Sequence, residues 1–256
     1  DIDTLKSNLP ALFEKYSGEL IELSTKLRRK SFEMHKMGHI VAFGDFEGQL
    51  LYILIREEKP GLIYEISPAA GYSTNYIAYA LTKNGRGKLK SFELQKNIYG
   101  LPTEDVIRGN LVEGIDHSVL QVVTGDVTKI KFEQFPSLLL LDSCHDKWFA
   151  DWYLENLVEK MNGWILIQDI AFADRIEKTT EASRVFEWIK DCQIKALSVG
   201  TEEKGFQKRN IVFSQCAECR PLESNAILIK SPFVKGDTIR FEKSPDDFIE
   251  LCKDNL

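Results

Sequence analysis

The stretch Leu62-Ile63-Tyr64-Glu65-Ile66-Ser67-Pro68-Ala69-Ala70-Gly71-Tyr72-Ser73-Thr74 changes character twice. Leu62 to Glu65 has the composition of a buried strand. Ser67 to Gly71 is a turn of small residues, and Ser73 opens a stretch with helical spacing that runs to Thr82. Strand, tight turn and helix form the opening unit of a parallel α/β sheet. Small residues let another molecule approach the turn's backbone. The free N–H groups and dipole at the helix start can hold a carboxylate.

The alternation continues downstream. Lys88 to Leu94 reads as a second strand after the turn Asn84-Gly85-Arg86-Gly87, Thr103 to Leu111 as a helix, and Leu120 to Val123 as a third strand. Leu138 to Leu141 is solidly apolar, as expected for a strand buried on both faces. Phe149 to Met161 reads as a helix ended by Asn162-Gly163, Trp164 to Ile167 as a fifth strand and Ala182 to Ile189 as a helix. Ile194 to Val199, Asn210 to Phe213 and Ala226 to Lys230 look like further strands. The expected fold is a Rossmann-like, mostly parallel seven-stranded sheet with helices on both faces.

Upstream, residues 1–58 read as helical. Leu9, Phe13, Tyr16, Leu20, Leu23 and Leu27 recur at spacings of four and three, which places them on one helix face. Pro10 fits a first helical turn. The stripe either packs on the main domain or serves as a dimer contact or lid. Met37-Gly38-His39 breaks the pattern, and Asp45 is expected to cap a second helix burying Phe46, Leu50, Ile53 and Leu54. The expected organisation is a helical cap over 1–58, the sheet domain over 59–232 and a polar tail over 233–256 lying on the surface.

Open α/β sheets bind ligands beyond the carboxyl ends of their strands. The first strand leads into Glu65 and the small-residue turn. The second ends at Glu93, an acid able to accept two hydrogen bonds from a ribose diol. The third leads to Gly125-Asp126, whose carboxylate either accepts from an adenine amino group or caps a turn. The fourth ends in Asp142-Ser143-Cys144-His145-Asp146 and the fifth in Gln168-Asp169. Glu65 either contacts a ligand or pins its own loop. Asp142 and Asp169 are site residues or caps, and His145 is a site residue or a structural histidine. His35, His39 and His117 lack such a context and read as surface or core.

At these strand ends the chain resembles the class I S-adenosylmethionine (SAM)-dependent methyltransferases, over roughly residues 60 to 200. Their first motif is acid-x-Gly-x-Gly-x-Gly. Here the acid is Glu65 and the last glycine is Gly71, with Ser67 and Ala69 in place of the other glycines. The run Leu138 to Ile170, with Asp142, His145 three residues on and Asp169 after the fifth strand, looks like the subgroup that includes cephalosporin-hydroxylase-like and macrolide sugar O-methyltransferases. The resemblance implies that SAM is held by Glu65, Ser67, Ala69, Gly71, Ser73, Thr74, Glu93, Leu94, Gly125, Asp126, Val127 and Asp142. It implies O-methylation of a small molecule or sugar, with nitrogen as the alternative acceptor. Asp142 and Asp169 are candidate ligands for Mg²⁺. Metal-dependent catechol-type relatives place an amide after the second acid, where this chain has Ile170; Asp146 is a possible substitute. His145 is the candidate general base, with Asp146 as its orienting neighbour.

Composition narrows the alternatives. The net charge of −6 argues against a nucleic-acid surface, with Lys26 to Lys30 read as a solvated helix end. No apolar run reaches the length of a membrane span, and Asp1-Ile2-Asp3 does not open a signal peptide. Five cysteines fit a reducing cytoplasm better than a disulfide framework, and Cys216-Ala-Glu-Cys219 lacks the second pair a zinc site wants. A nicotinamide-dependent oxidoreductase would want GxGxxG where Ser67 to Gly71 stands. A non-catalytic partner subunit that keeps the fold is the other rival. A homo-oligomer through the N-terminal helices is a further expectation.

Overall fold

The computed structural model describes residues 1–39, 41, 43–170, 180–201 and 225–243. The apolar runs form the sheet. Its strands are β1 (Leu62–Ile66), β2 (Lys88–Glu93), β5 (Leu120–Thr124), β6 (Leu138–Leu141), β7 (Gly163–Gln168), β8 (Ala196–Thr201), β9 (Asn225–Ser231) and β10 (Ile239–Lys243); Asn97–Ile98 (β3) and Leu101–Pro102 (β4) make a separate small hairpin. The order is β10-β8-β9-β7-β6-β1-β2-β5. Only β9 runs antiparallel to its neighbours, β7 and β8.

The helices are α1 (Ile2–Lys15), α2 (Ser17–Lys36), α3 (Asp45–Glu58), α4 (Tyr72–Asn84), α5 (Thr103–Gly109), α6 (Lys147–Asn156) and α7 (Glu181–Asp191). Alternate strand residues enter two cores. Ile63, Leu138, Leu140, Trp164, Leu166 and Leu228 pack with α1–α5, whereas Tyr64, Leu139, Leu141, Ile165, Ile167 and Ile229 pack with α6 and α7. A sheet covered on both faces therefore reads as continuous apolar runs. The chain leaves β1 for α4 on one face and β6 for α6 on the other. Because β1 and β6 are neighbours, a crevice opens between their carboxyl ends, the topological switch point.

The seven-strand arrangement matches the sequence reading, and β10 adds an eighth strand, parallel to β8. The stretch after Pro232 is thus not wholly a surface tail. Phe241 stacks on Phe46 of α3 at 5.8 Å, and that contact draws residues 239–243 onto the sheet edge. The strand expected at Asn210 to Phe213, and Cys216, Cys219 and Cys252, lie outside the described residues.

The N-terminal stripe crosses two helices. Asp1 caps α1 by accepting from the Thr4 N–H at 2.8 Å, so the helix starts early and Pro10 lies in its interior, not its first turn. The chain breaks at Tyr16 and α2 resumes the stripe. Leu9, Phe13, Leu20, Leu23 and Leu27 are all buried in the same core as α3, α4 and β8. That face is consumed inside the chain and is not free as a dimer contact or lid. Asp45 is not the cap of α3 either. Gly44 holds that position, and the Asp45 carboxylate accepts from the hydroxyls of Tyr72 (2.6 Å) and Tyr76 (2.7 Å), tying α3 to α4.

Candidate active site

The loop after β1 is held in a glycine-like conformation without the glycines. Ser67 has φ 63° and Ala69 φ 48°, both left-handed, and Gly71 follows at φ 89° as the residue before α4. These are the positions where the resembled motif carries glycine. Surrounding bonds impose the geometry. Ser67 N–H donates to the Phe92 carbonyl at 2.8 Å, and Gly71 N–H to the Pro68 carbonyl at 2.8 Å. From behind, Asn75 donates to the Gly71 carbonyl (2.8 Å) and Asn110 to the Ala70 carbonyl (2.9 Å). A Cβ on Gly71 would sit 3.1 Å from Ile107 Cγ2.

Glu65 turns inward. It is fully buried, and its carboxylate accepts from the hydroxyls of Ser73 (2.6 Å), Thr74 (2.8 Å) and Ser91. Burial pushes its carboxyl above the usual range. The side chains of Glu65, Ser73 and Thr74 therefore shape the loop from inside and do not line its open side, contrary to the sequence expectation. Val127 is likewise packed in the α6–α7 core.

Glu93 sits at the end of β2 and faces the same loop. Its carboxylate accepts from the N–H groups of Ala69 and Gln95, each at 3.3 Å, and burial pushes its carboxyl up. Leu94 follows as an exposed apolar side chain. Gly125 N–H donates to the Glu93 carbonyl at 2.8 Å, which joins the ends of β2 and β5. The Asp126 carboxylate is engaged by its own turn: it accepts from the N–H and hydroxyl of Thr128 and pairs with Lys129 at 3.2 Å. That is the turn-cap reading.

Beyond β6 and β7, Asp142, His145 and Asp169 converge, with one ligating atom from each all within 4.8 Å of one another. Burial, then the charge of Asp169, pushes the Asp142 carboxyl up to about 7. His145 has φ 57° and Asp169 φ 59°. The imidazole is half-exposed, with Nε2 3.8 Å from an Asp169 oxygen and Nδ1 2.8 Å from Glu181. Its pKa is raised, first by the Glu181 hydrogen bond and against the effect of burial. Asp146, expected beside the ring, instead precedes α6 and bridges to Thr180. Two hard carboxylates and an imidazole suit a divalent cation in chemistry, although the donor set is small. Ile170 is buried, and Asp146 is not in the cluster. Trp148 is exposed beside this loop, whereas Trp164 and Trp188 are core. His39 is buried, its ring tilted against that of Tyr99 with centroids 4.5 Å apart; His35 and His117 are exposed.

Sequence reading missed three residues. Asn75 and Asn110 are buried amides holding the loop, a role without a local signal. Glu181 lies 36 residues from the histidine it bonds.

No protein-family model matches the sequence, and neither does any curated protein. Solved structures do match in fold. The O-methyltransferase from Bacillus cereus in complex with SAH is 14% identical over 81% of this chain and 91% of its own, with a TM-score of 0.55. The O-methyltransferase TomG from Streptomyces achromogenes, involved in tomaymycin synthesis and solved with SAM, is 14% identical over 80% and 89%, with a TM-score of 0.53. The cofactor-bound Rv0187 from MTB is 15% identical over 83% and 91%, at 0.59. At these identities the likeness is one of fold, and it is the Rossmann-like methyltransferase fold. Among the described residues no helix is long and apolar enough to cross a membrane.

Proposed function

We propose that this chain is a SAM-dependent methyltransferase that methylates an oxygen of a small molecule or sugar-containing metabolite, in a cytoplasmic setting. One observation carries the reading. At the β1/β6 switch point the left-handed loop Ser67–Gly71, the carboxylate of Glu93 and the Asp142–His145–Asp169 cluster share one end of the sheet. The fold of SAM- and SAH-bound O-methyltransferases supports it.

In this reading Glu93 would accept from a ribose diol, and the loop backbone would lie against the cofactor. Leu94 offers an apolar surface beside it. SAM, when bound, would supply an activated methyl: the acceptor oxygen bonds to the methyl carbon in line as the carbon–sulfur bond breaks, and SAH leaves. The protein's part is positioning and proton removal. His145 is the proposed base, taking the acceptor's hydroxyl proton on Nε2. Where a divalent cation binds, Asp142 and Asp169 would hold it, and it would help acidify the hydroxyl. A homo-oligomer through the N-terminal helices belongs to the same proposal, by faces other than the buried leucine stripe.

The test is calorimetric titration with SAM and SAH, followed by turnover across a panel of hydroxyl and amine acceptors. His145→Ala is expected to cut turnover by ~10²-fold while leaving SAM affinity nearly unchanged. Absence of SAM and SAH binding by the folded protein would overturn the proposal.

A further inference from the structure

Glu181 is the first residue of α7, after the N-cap Thr180. Its side chain is 1% exposed, yet it reaches across to the β6 loop. One carboxylate oxygen receives His145 Nδ1 at 2.8 Å, and the other accepts from the Ser143 hydroxyl at 3.2 Å. The Glu181 backbone N–H donates to the His145 carbonyl at 2.8 Å, and Asp146 and Thr180 form a β-bridge beside it. Residue 181 thus grips residue 145 by both ring and backbone. The grip accounts for a histidine standing at φ 57°, a conformation that persists only where its surroundings over-determine it. A carboxylate in the first turn of a helix is itself favoured by the helix dipole.

We infer that Glu181 is the positioning residue of this site. It holds the neutral imidazole with its proton on Nδ1 and directs the unprotonated Nε2 toward the side of Asp169, 3.8 Å away, where Asp142 also converges. A carboxylate can only accept, so the ring nitrogen it bonds carries the proton. The bond one ring nitrogen makes decides what the other can do. A base at Nε2 needs this tautomer, which is the one free histidine disfavours. The Nδ1 partner is Glu181 and not Asp146, the adjacent residue in sequence. The inference rests on the reading of His145 as the base.

The tautomer can be read without an acceptor substrate. The full chain is labelled with ¹⁵N-histidine and its imidazole nitrogens are recorded at a pH where the ring is neutral, with His145→Gln to assign the signals. Wild type is expected to show Nδ1 protonated and Nε2 bare. Glu181→Ala and the bulkier apolar Glu181→Leu are expected to shift the ring to the Nε2–H form, while SAH affinity by calorimetry stays within about threefold. Once an acceptor is in hand, the same variants are expected to lower kcat by about tenfold or more with KM unchanged, the signature of a misoriented base. An Nε2–H ring in wild type would overturn the inference on the wild-type spectrum alone. So would an Nδ1–H ring retained in either folded variant. Failure of SAH to bind would overturn the methyltransferase reading and leave the tautomer result standing, so the two failures are distinct.

Discussion

Ala69→Gly is expected to stabilise the chain, and its neighbour Ala70→Gly to destabilise it. Ala69 is held at φ 48°, where an L-residue costs about 1–2 kcal/mol more than in the right-handed region. Glycine removes that cost but gives back about 0.4–1 kcal/mol through the greater freedom of the unfolded chain. Ala69 is exposed, so no buried methyl is lost. The balance is a gain of about 0.5–1 kcal/mol, which at roughly 2–4 °C per kcal/mol raises Tm by about 1–4 °C. Ala70 is 1% exposed and has no left-handed φ to relieve. Its variant loses about 0.8 kcal/mol of methyl burial and the same 0.4–1 kcal/mol of chain entropy, or about 1–2 kcal/mol in all. Urea unfolding of both variants beside wild type, with a common m-value, measures the pair. If Ala69→Gly falls as far as Ala70→Gly, the loop is not strained as described.

Glu93→Ala is expected to weaken SAM by roughly 1.5–3 kcal/mol, the scale of hydrogen bonds to a charged group, and calorimetry on the folded variant measures it. Gly71→Val is expected to abolish SAM binding while cooperative unfolding persists, because valine at φ 89° is strained and its Cβ meets Ile107; a variant that binds normally would place the cofactor elsewhere. Asp142→Asn is expected to stabilise the ligand-free protein above neutral pH. The folded carboxyl titrates at about 7, above the ~3.9 of an unfolded aspartate, so wild type loses stability as pH rises from about 4 through 7. The variant avoids that loss, so its advantage should be absent below pH ~4 and full above pH ~7. After solvent screening it should reach roughly 1–2 kcal/mol. Thermal melts across this range would contradict the reasoning if the advantage were constant with pH.

Where chemistry collects was legible in the sequence because strand ends are local features. An apolar run that stops at an acid or a small-residue turn is visible without knowing its neighbours, and four such ends meet at the switch point. The direction of each side chain was less legible, although Glu65 could have been read. β1 is covered on both faces, and alternation puts Glu65 on the side of Ile63, under α4, where Ser73 and Thr74 present their hydroxyls. An acid one residue inside a doubly covered strand is thus a brace, whereas Glu93, the last residue of β2, reaches the loop. Local chemistry also hid the N-terminal helices, since a stripe that keeps its phase across the break at Tyr16 looks like one helix.

Glu181 was beyond reach for a different reason. Nothing near His145 in sequence indicates that its partner comes from the start of α7, because that meeting depends on where α7 packs against the sheet. The same packing makes the histidine's backbone conformation tenable, as Glu181 supplies both the acceptor for Nδ1 and the N–H for the His145 carbonyl. Asp142, Asp169 and Glu181 surround the ring with three carboxyls, and only Glu181 is in hydrogen-bond contact with it. The half-exposed side chains, His145 and Asp169, are therefore left for what binds, and the buried Glu181 is left to hold the ring still. This division between holding and reacting groups arises from depth in the fold and not from residue type, which is why a motif of acids and one histidine could locate the site without assigning its parts.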